Sequence, residues 1–100
     1  MINVQITDEF KYCLKGLKNL TVKGQILMRV DRAEEGNLGN WKFLREGIFE
    51  MKIDVGPGYR IYFTKHGQEL IILLAGGNKS SQDRDIKLAI DLPKSLKKGD

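Results

Sequence analysis

Ile48-Phe49-Glu50-Met51-Lys52-Ile53-Asp54-Val55 is followed by Gly56-Pro57-Gly58 and then by Tyr59-Arg60-Ile61-Tyr62-Phe63-Thr64-Lys65. Both runs alternate with a period of two, the repeat of an extended chain with one face buried. Phe49, Met51, Ile53 and Val55 fall on one side; Ile48, Glu50, Lys52 and Asp54 fall on the other. Tyr59, Ile61 and Phe63 share the apolar side of the second run, which leaves Arg60, Tyr62 and Thr64 opposite. Gly56-Pro57-Gly58 is a tight turn, because glycine adopts positive φ freely and proline fixes its own φ. His66-Gly67 turns the chain again. The next run, Glu69 to Ala75, is apolar on both sides and belongs inside a sheet.

Working outward, Ile2 to Ile6 alternates as a first strand. Thr7 is an N-cap, with Asp8 and Glu9 in the first turn, where the helix dipole favours acids. Phe10, Leu14 and Leu17 give a short helix near 8–17. Val22, Ile26, Val30 and Ala33 give a second helix from Thr21 to Glu35, antiparallel to the first. Residues 36–47 read as a loop. After Gly76-Gly77, Ser80-Ser81-Gln82-Asp83 has the form of a capping box. Ile86, Ala89 and Ile90 form the buried stripe of a last helix that Pro93 ends, and 94–100 is a polar tail. The reading is an α+β domain over 1–93, ordered β-α-α-β-β-β-α, with an antiparallel sheet and its helices packed on one face. The opposite face then stays open and carries Lys52, Arg60 and Tyr62.

Composition narrows the function classes. The chain has 100 residues, which permits one compact domain. The longest apolar run is Leu70 to Ala75, far short of the roughly 20 residues of a membrane span. Cys13 and His66 are the only residues of their kinds, so a disulfide framework and a multi-Cys or multi-His metal site are excluded within one chain. No basic segment with a long apolar core opens the sequence, so a soluble cytoplasmic protein is expected. The net charge is +4. An excess of this size permits a polyanion partner without requiring one.

Four pieces in order carry a resemblance: Leu38-Gly39-Asn40-Trp41-Lys42, Gly47 to Ile53, Gly56-Pro57-Gly58-Tyr59-Arg60-Ile61-Tyr62-Phe63, and Leu73-Leu74-Ala75-Gly76-Gly77-Asn78-Lys79-Ser80-Ser81-Gln82-Asp83-Arg84-Asp85-Ile86. Together they resemble the RelE/ParE toxin superfamily, in particular its addiction-module killer protein branch, related to HigB and its phage relatives. The resemblance covers about Phe10 to Leu92. It implies a RelE-like fold and the toxin half of a type II toxin–antitoxin pair. RelE-like members are ribosome-dependent mRNA endonucleases that use no metal or cofactor. The 2′-hydroxyl attacks the adjacent phosphate and leaves a cyclic phosphate and a 5′-hydroxyl. The implied partners are the ribosome, mRNA and a cognate antitoxin, a helix-turn-helix DNA-binding protein. ParE-like members of the same superfamily instead inhibit DNA gyrase without cutting RNA.

In-line attack needs a base, an acid and positive charge at the phosphate. Arg60 matches the arginine of the family's Tyr-Arg strand motif, and a guanidinium suits two-point contact with phosphate. Lys52 resembles the family's second-strand cation and is the candidate base. Lys79 resembles the cation at the start of the last helix and is the candidate phosphate clamp or acid. Tyr62, Gln82 and Arg84 are the candidate RNA contacts, Tyr62 by stacking on a base. The chain departs from RelE in holding Asp85 where a catalytic tyrosine occurs, and it lacks the His-Tyr pair of the YoeB-like branch. The plainer readings make Tyr59 a core residue, Trp41 an anchor for its loop and Gly76-Gly77 a matter of backbone geometry.

Overall fold

A computed structural model describes residues 2–56 and 58–98, the last six as helix backbone only. The elements are β1 (Asn3–Ile6), α1 (Asp8–Lys15), α2 (Leu20–Glu34), β2 (Trp41–Arg45), β3 (Ile48–Ile53), β4 (Tyr59–His66), β5 (Leu70–Gly77), a 3-10 turn (Lys79–Ser81) and α3 (Gln82–Lys98). The fold is α+β. The five strands lie in the order β1-β5-β4-β3-β2.

Local sequence explains the helix starts. Thr7 Oγ1 accepts the Phe10 N–H at 3.1 Å and donates to the Leu74 carbonyl at 2.7 Å, which ties the start of α1 to β5. Asn19 Oδ1 accepts the N–H groups of Thr21 and Val22 and opens α2. The α1–α2 pair then carries the chain from β1 at one sheet edge to β2 at the other. Its apolar side meets Met51, Ile53, Ile61, Phe63, Ile71 and Leu73 around the fully buried Phe10 and Ile26. Full burial of one such side chain stabilises by about 2 kcal/mol.

Four expectations are corrected. The segment read as a loop contains β2, which pairs antiparallel with β3 from Trp41↔Met51 to Arg45↔Ile48. A register break between Phe43 and Arg45 interrupts its alternation, and this bulge sends Leu44 to the opposite core. The sheet is mixed, because β1 pairs parallel with β5. The helices cover both faces. Opposite α1 and α2, a second core joins Ile48, Tyr62, Leu74 and Ala75 to Ala89 of α3, with Ile86, Ile90 and Leu92 around it. A strand apolar on both sides needs cover on both sides, and β5 receives it.

The fourth correction concerns the C-terminus. α3 runs past Pro93 to Lys98 instead of ending there. Proline removes one N–H donor toward the preceding turn and leaves the helix propensity of the lysines after it intact. Pro57, and Gly99-Asp100 of the expected tail, lie outside the described residues. Gly56 and Gly58 have φ of 55° and 92°, as the reading of that turn requires. Among the described residues, no helix is long and apolar enough to cross a membrane.

Candidate functional site

Lys52 and Arg60 are direct cross-strand partners on β3 and β4, and Arg60 is paired in turn with Gly77 on β5. Three strands therefore bring Lys52, Arg60 and Gly77 into one row. The chain leaves that row at Gly77 and reaches Lys79 two residues later. Lys52, Arg60 and Lys79 line one cleft of about 370 Å³, with Asp54, Gly56 and Gly58. A second cleft of about 270 Å³ shares Lys52 and Arg60 and adds Lys42, Glu50 and Gln82. The three candidate catalytic cations thus meet where the sequence places them, at one end of the sheet face that α3 partly covers.

The arginine is held by a group the sequence reading passed over. Glu50 is 3% exposed. Its Oε1 lies 3.0 Å from Arg60 Nε and accepts from Gln82 Nε2 at 3.3 Å, and its Oε2 lies 3.7 Å from Lys42 Nζ. A buried carboxylate is tolerated when cations and donors surround it, and these three groups do so. The signal was present in the alternation, since an acid two residues before Lys52 on the same face is a diagonal neighbour of Arg60. Lys52 itself pairs with exposed Asp54 at 3.9 Å, a contact worth little in water. Lys79 forms no ion pair among the described residues.

Tyr62 is corrected. It shares the Arg60 face, as expected, but it is 0% exposed beneath α3 and cannot stack on a base. Its hydroxyl has no hydrogen-bond partner among the described residues. Burial, then Glu50, pushes the phenol well above its ordinary range, so it is a neutral group at this site. Gln82 lies in the Arg60 cleft. Arg84 lies two residues farther, in a hollow with Lys79, Ser81 and Gln82, and its Nε is 3.9 Å from Asp85 Oδ1.

The start of α3 also differs from the expected capping box. A 3-10 turn precedes it, capped by Asn78, whose Oδ1 accepts the Ser80 N–H at 2.9 Å and the Ser80 hydroxyl at 2.5 Å. Ser81 donates its hydroxyl to Asp85 Oδ2 at 2.5 Å. The plainer reading holds for Tyr59, which is buried; Trp41 anchors no loop, since it opens β2 and packs on Phe49 and Phe63 with ring centroids 5.6 and 6.4 Å away. Lys65 Nζ sits 4.7 Å above the Trp41 ring.

The chain is 45% identical over 95 residues to an uncharacterized protein of Haemophilus influenzae, a match that spans 95% of this chain and 96% of the relative. It belongs to the same family as that protein. No family model and no solved structure matches the chain.

Proposed function

We propose that this member of the family is a toxin of a type II toxin–antitoxin pair, with a RelE-like fold and the activity of a ribosome-dependent mRNA endonuclease. The observation that carries the reading is the convergence of Lys52, Arg60 and Lys79, from three separate elements, on one open cleft. A phosphodiester seated there would meet positive charge from three sides. Charge builds on the phosphoryl oxygens as the 2′-hydroxyl attacks, and preorganised cations stabilise that state more than the ground state.

In this scheme Arg60 stabilises the transition state, and Glu50 fixes its guanidinium through Nε. Lys52, entering as the neutral amine, takes the proton of the 2′-hydroxyl and becomes the third positive charge at the phosphate as it does so. The new bond joins O2′ to phosphorus, and the bond from phosphorus to the 5′-oxygen breaks. Lys79 clamps the phosphate or gives the leaving oxygen its proton. The products are a 2′,3′-cyclic phosphate and a 5′-hydroxyl, formed by side chains alone. Gln82, in the neighbouring cleft with Lys52 and Arg60, and Arg84, in the hollow it shares with Lys79, are the RNA contacts. The partners are mRNA, the ribosome and a helix-turn-helix antitoxin, met in the cytoplasm.

The test is a purified translation system with end-labelled mRNA. Cleavage that requires ribosomes supports the reading. Intact mRNA together with gyrase-dependent DNA breaks replaces it with ParE-like gyrase inhibition, since a shared fold does not fix the target.

A further inference from the structure

Asp85 is a buried acid, 6% exposed, that the scheme above does not use. It belongs to the first turns of α3 and faces the bare surface of β5 at Gly77. A Cβ at Gly77 would fall onto the Asp85 carboxylate. Gly77 does not have a left-handed φ, so torsion alone does not call for glycine there. The acid calls for it. The same carboxylate accepts the Ser81 hydroxyl at 2.5 Å. Among the described residues, its other oxygen has only exposed Arg84 at 3.9 Å.

We propose that Asp85 is a positioning residue for the cation cluster: seated on Gly77 and bonded to Ser81, it locks the turn that places Lys79 and Gln82 beside Arg60 and Glu50. The turn has few other ties. Ser80 N–H donates to Asn78 Oδ1, Ser81 N–H to Asn78 O at 3.3 Å, and Gln82 N–H to Lys79 O. These three bonds lie within the turn itself, and the Gln82 side chain reaches the sheet through its 3.3 Å bond to Glu50 Oε1. The Asp85 carboxylate links it to the next turn of α3 and presses it onto the sheet. Gly77 is the ladder partner of Arg60, so this lock acts beside the arginine. The consequence for catalysis rests on the nuclease reading; the lock itself does not.

Amide hydrogen exchange, followed residue by residue by NMR in the full chain, tests it without reference to activity. Asp85→Ala is expected to speed exchange at the Ser80, Ser81 and Gln82 amides by about tenfold, the size of one lost hydrogen bond to a charged group. Exchange at Ile61 and Phe63 in β4 stays unchanged. Ser81→Ala, which removes only the hydroxyl, reproduces the effect if the alanine variant at 85 fails to fold. Asp85→Asn keeps an acceptor for Ser81 and restores most of the protection. Unchanged exchange at the three amides overturns the proposal, as does a uniform rise that includes β4, since that marks a general loss of stability. In the translation assay, Asp85→Ala lowers kcat and leaves KM near its starting value. A wild-type chain that cuts no RNA while the exchange pattern holds defeats the nuclease reading and leaves the lock standing.

Discussion

Glu50 Oε1 stands 3.0 Å from Arg60 Nε, across a diagonal of the β3–β4 ladder, with both side chains largely withdrawn from water. The pair sets the direction of the guanidinium before any ligand arrives. Replacing Glu50 removes the counter-charge of a largely buried guanidinium. Glu50→Ala is expected to lower unfolding stability by about 3 kcal/mol, and Glu50→Gln by less because it still accepts a hydrogen bond. Urea denaturation measures both. A loss below about 1 kcal/mol for the alanine variant would show that Arg60 swings freely into solvent.

The β2–β3 hairpin turns on Glu46 and Gly47, with φ of 49° and 78°. Positive φ at both central residues suits a two-residue hairpin of the primed type, for which asparagine followed by glycine is favoured. Glutamate pays a steric penalty there. Glu46→Asn is expected to raise stability by about 0.5 kcal/mol, seen as a higher urea midpoint at unchanged slope.

Gly39 has a φ of 65°, and a Cβ on it would come within 2.6 Å of the Arg29 guanidinium. That guanidinium donates to the carbonyls of Lys52 and Leu38 at 2.9 and 3.0 Å, and so ties α2 to the strand that carries Lys52. Gly39→Ala is expected to destabilise by about 2 kcal/mol, from backbone strain together with loss of these bonds. Thermal unfolding by circular dichroism reads the drop. A variant as stable as the parent would mean that the Arg29 clasp contributes nothing.

Burial, then Cys13 and Asp85, pushes the Tyr59 phenol up to about 12, and Tyr62 is raised as well. A raised folded value means that the native state holds its proton where the unfolded chain, near 10, releases it. The stabilisation from these phenols is therefore complete below about pH 10 and is lost as pH climbs toward about 12. Urea midpoints at pH 9, 10 and 11 should fall in that order. Tyr59→Phe should flatten the fall, and an equally steep fall in that variant would remove Tyr59 as a cause.

Much of this was legible in the residue order. The alternation in Ile48–Val55 and Tyr59–Lys65, with a turn between, was enough to put Lys52 and Arg60 on one face. The cap at Thr7 and the stripes Phe10-Leu14 and Val22-Ile26 gave the first two helices, while the cap of the second at Asn19 went unread. β2 was hidden because its bulge at Leu44 breaks the period after three residues. The position of α3 followed in principle from β5 being apolar on both sides, yet Lys52, Arg60 and Tyr62 suggested an open face. Only one end of that face is open, and Tyr62 lies under the covered part. The contact of Asp85 with Gly77 is a tertiary approach with no local signature. Gly76 is alike, since a Cβ there would meet the Tyr59 hydroxyl at 2.9 Å.

The most direct measurement of the central claim is ribosome-dependent cleavage of mRNA by Arg60→Ala, Lys52→Ala and Lys79→Ala, each first shown to be folded. Every one of the three should fall at least about tenfold in rate, the loss of one charge-assisted contact to the phosphate, with Arg60→Ala falling furthest. Full cleavage by a folded Arg60→Ala chain would contradict the claim that these cations grip one phosphodiester.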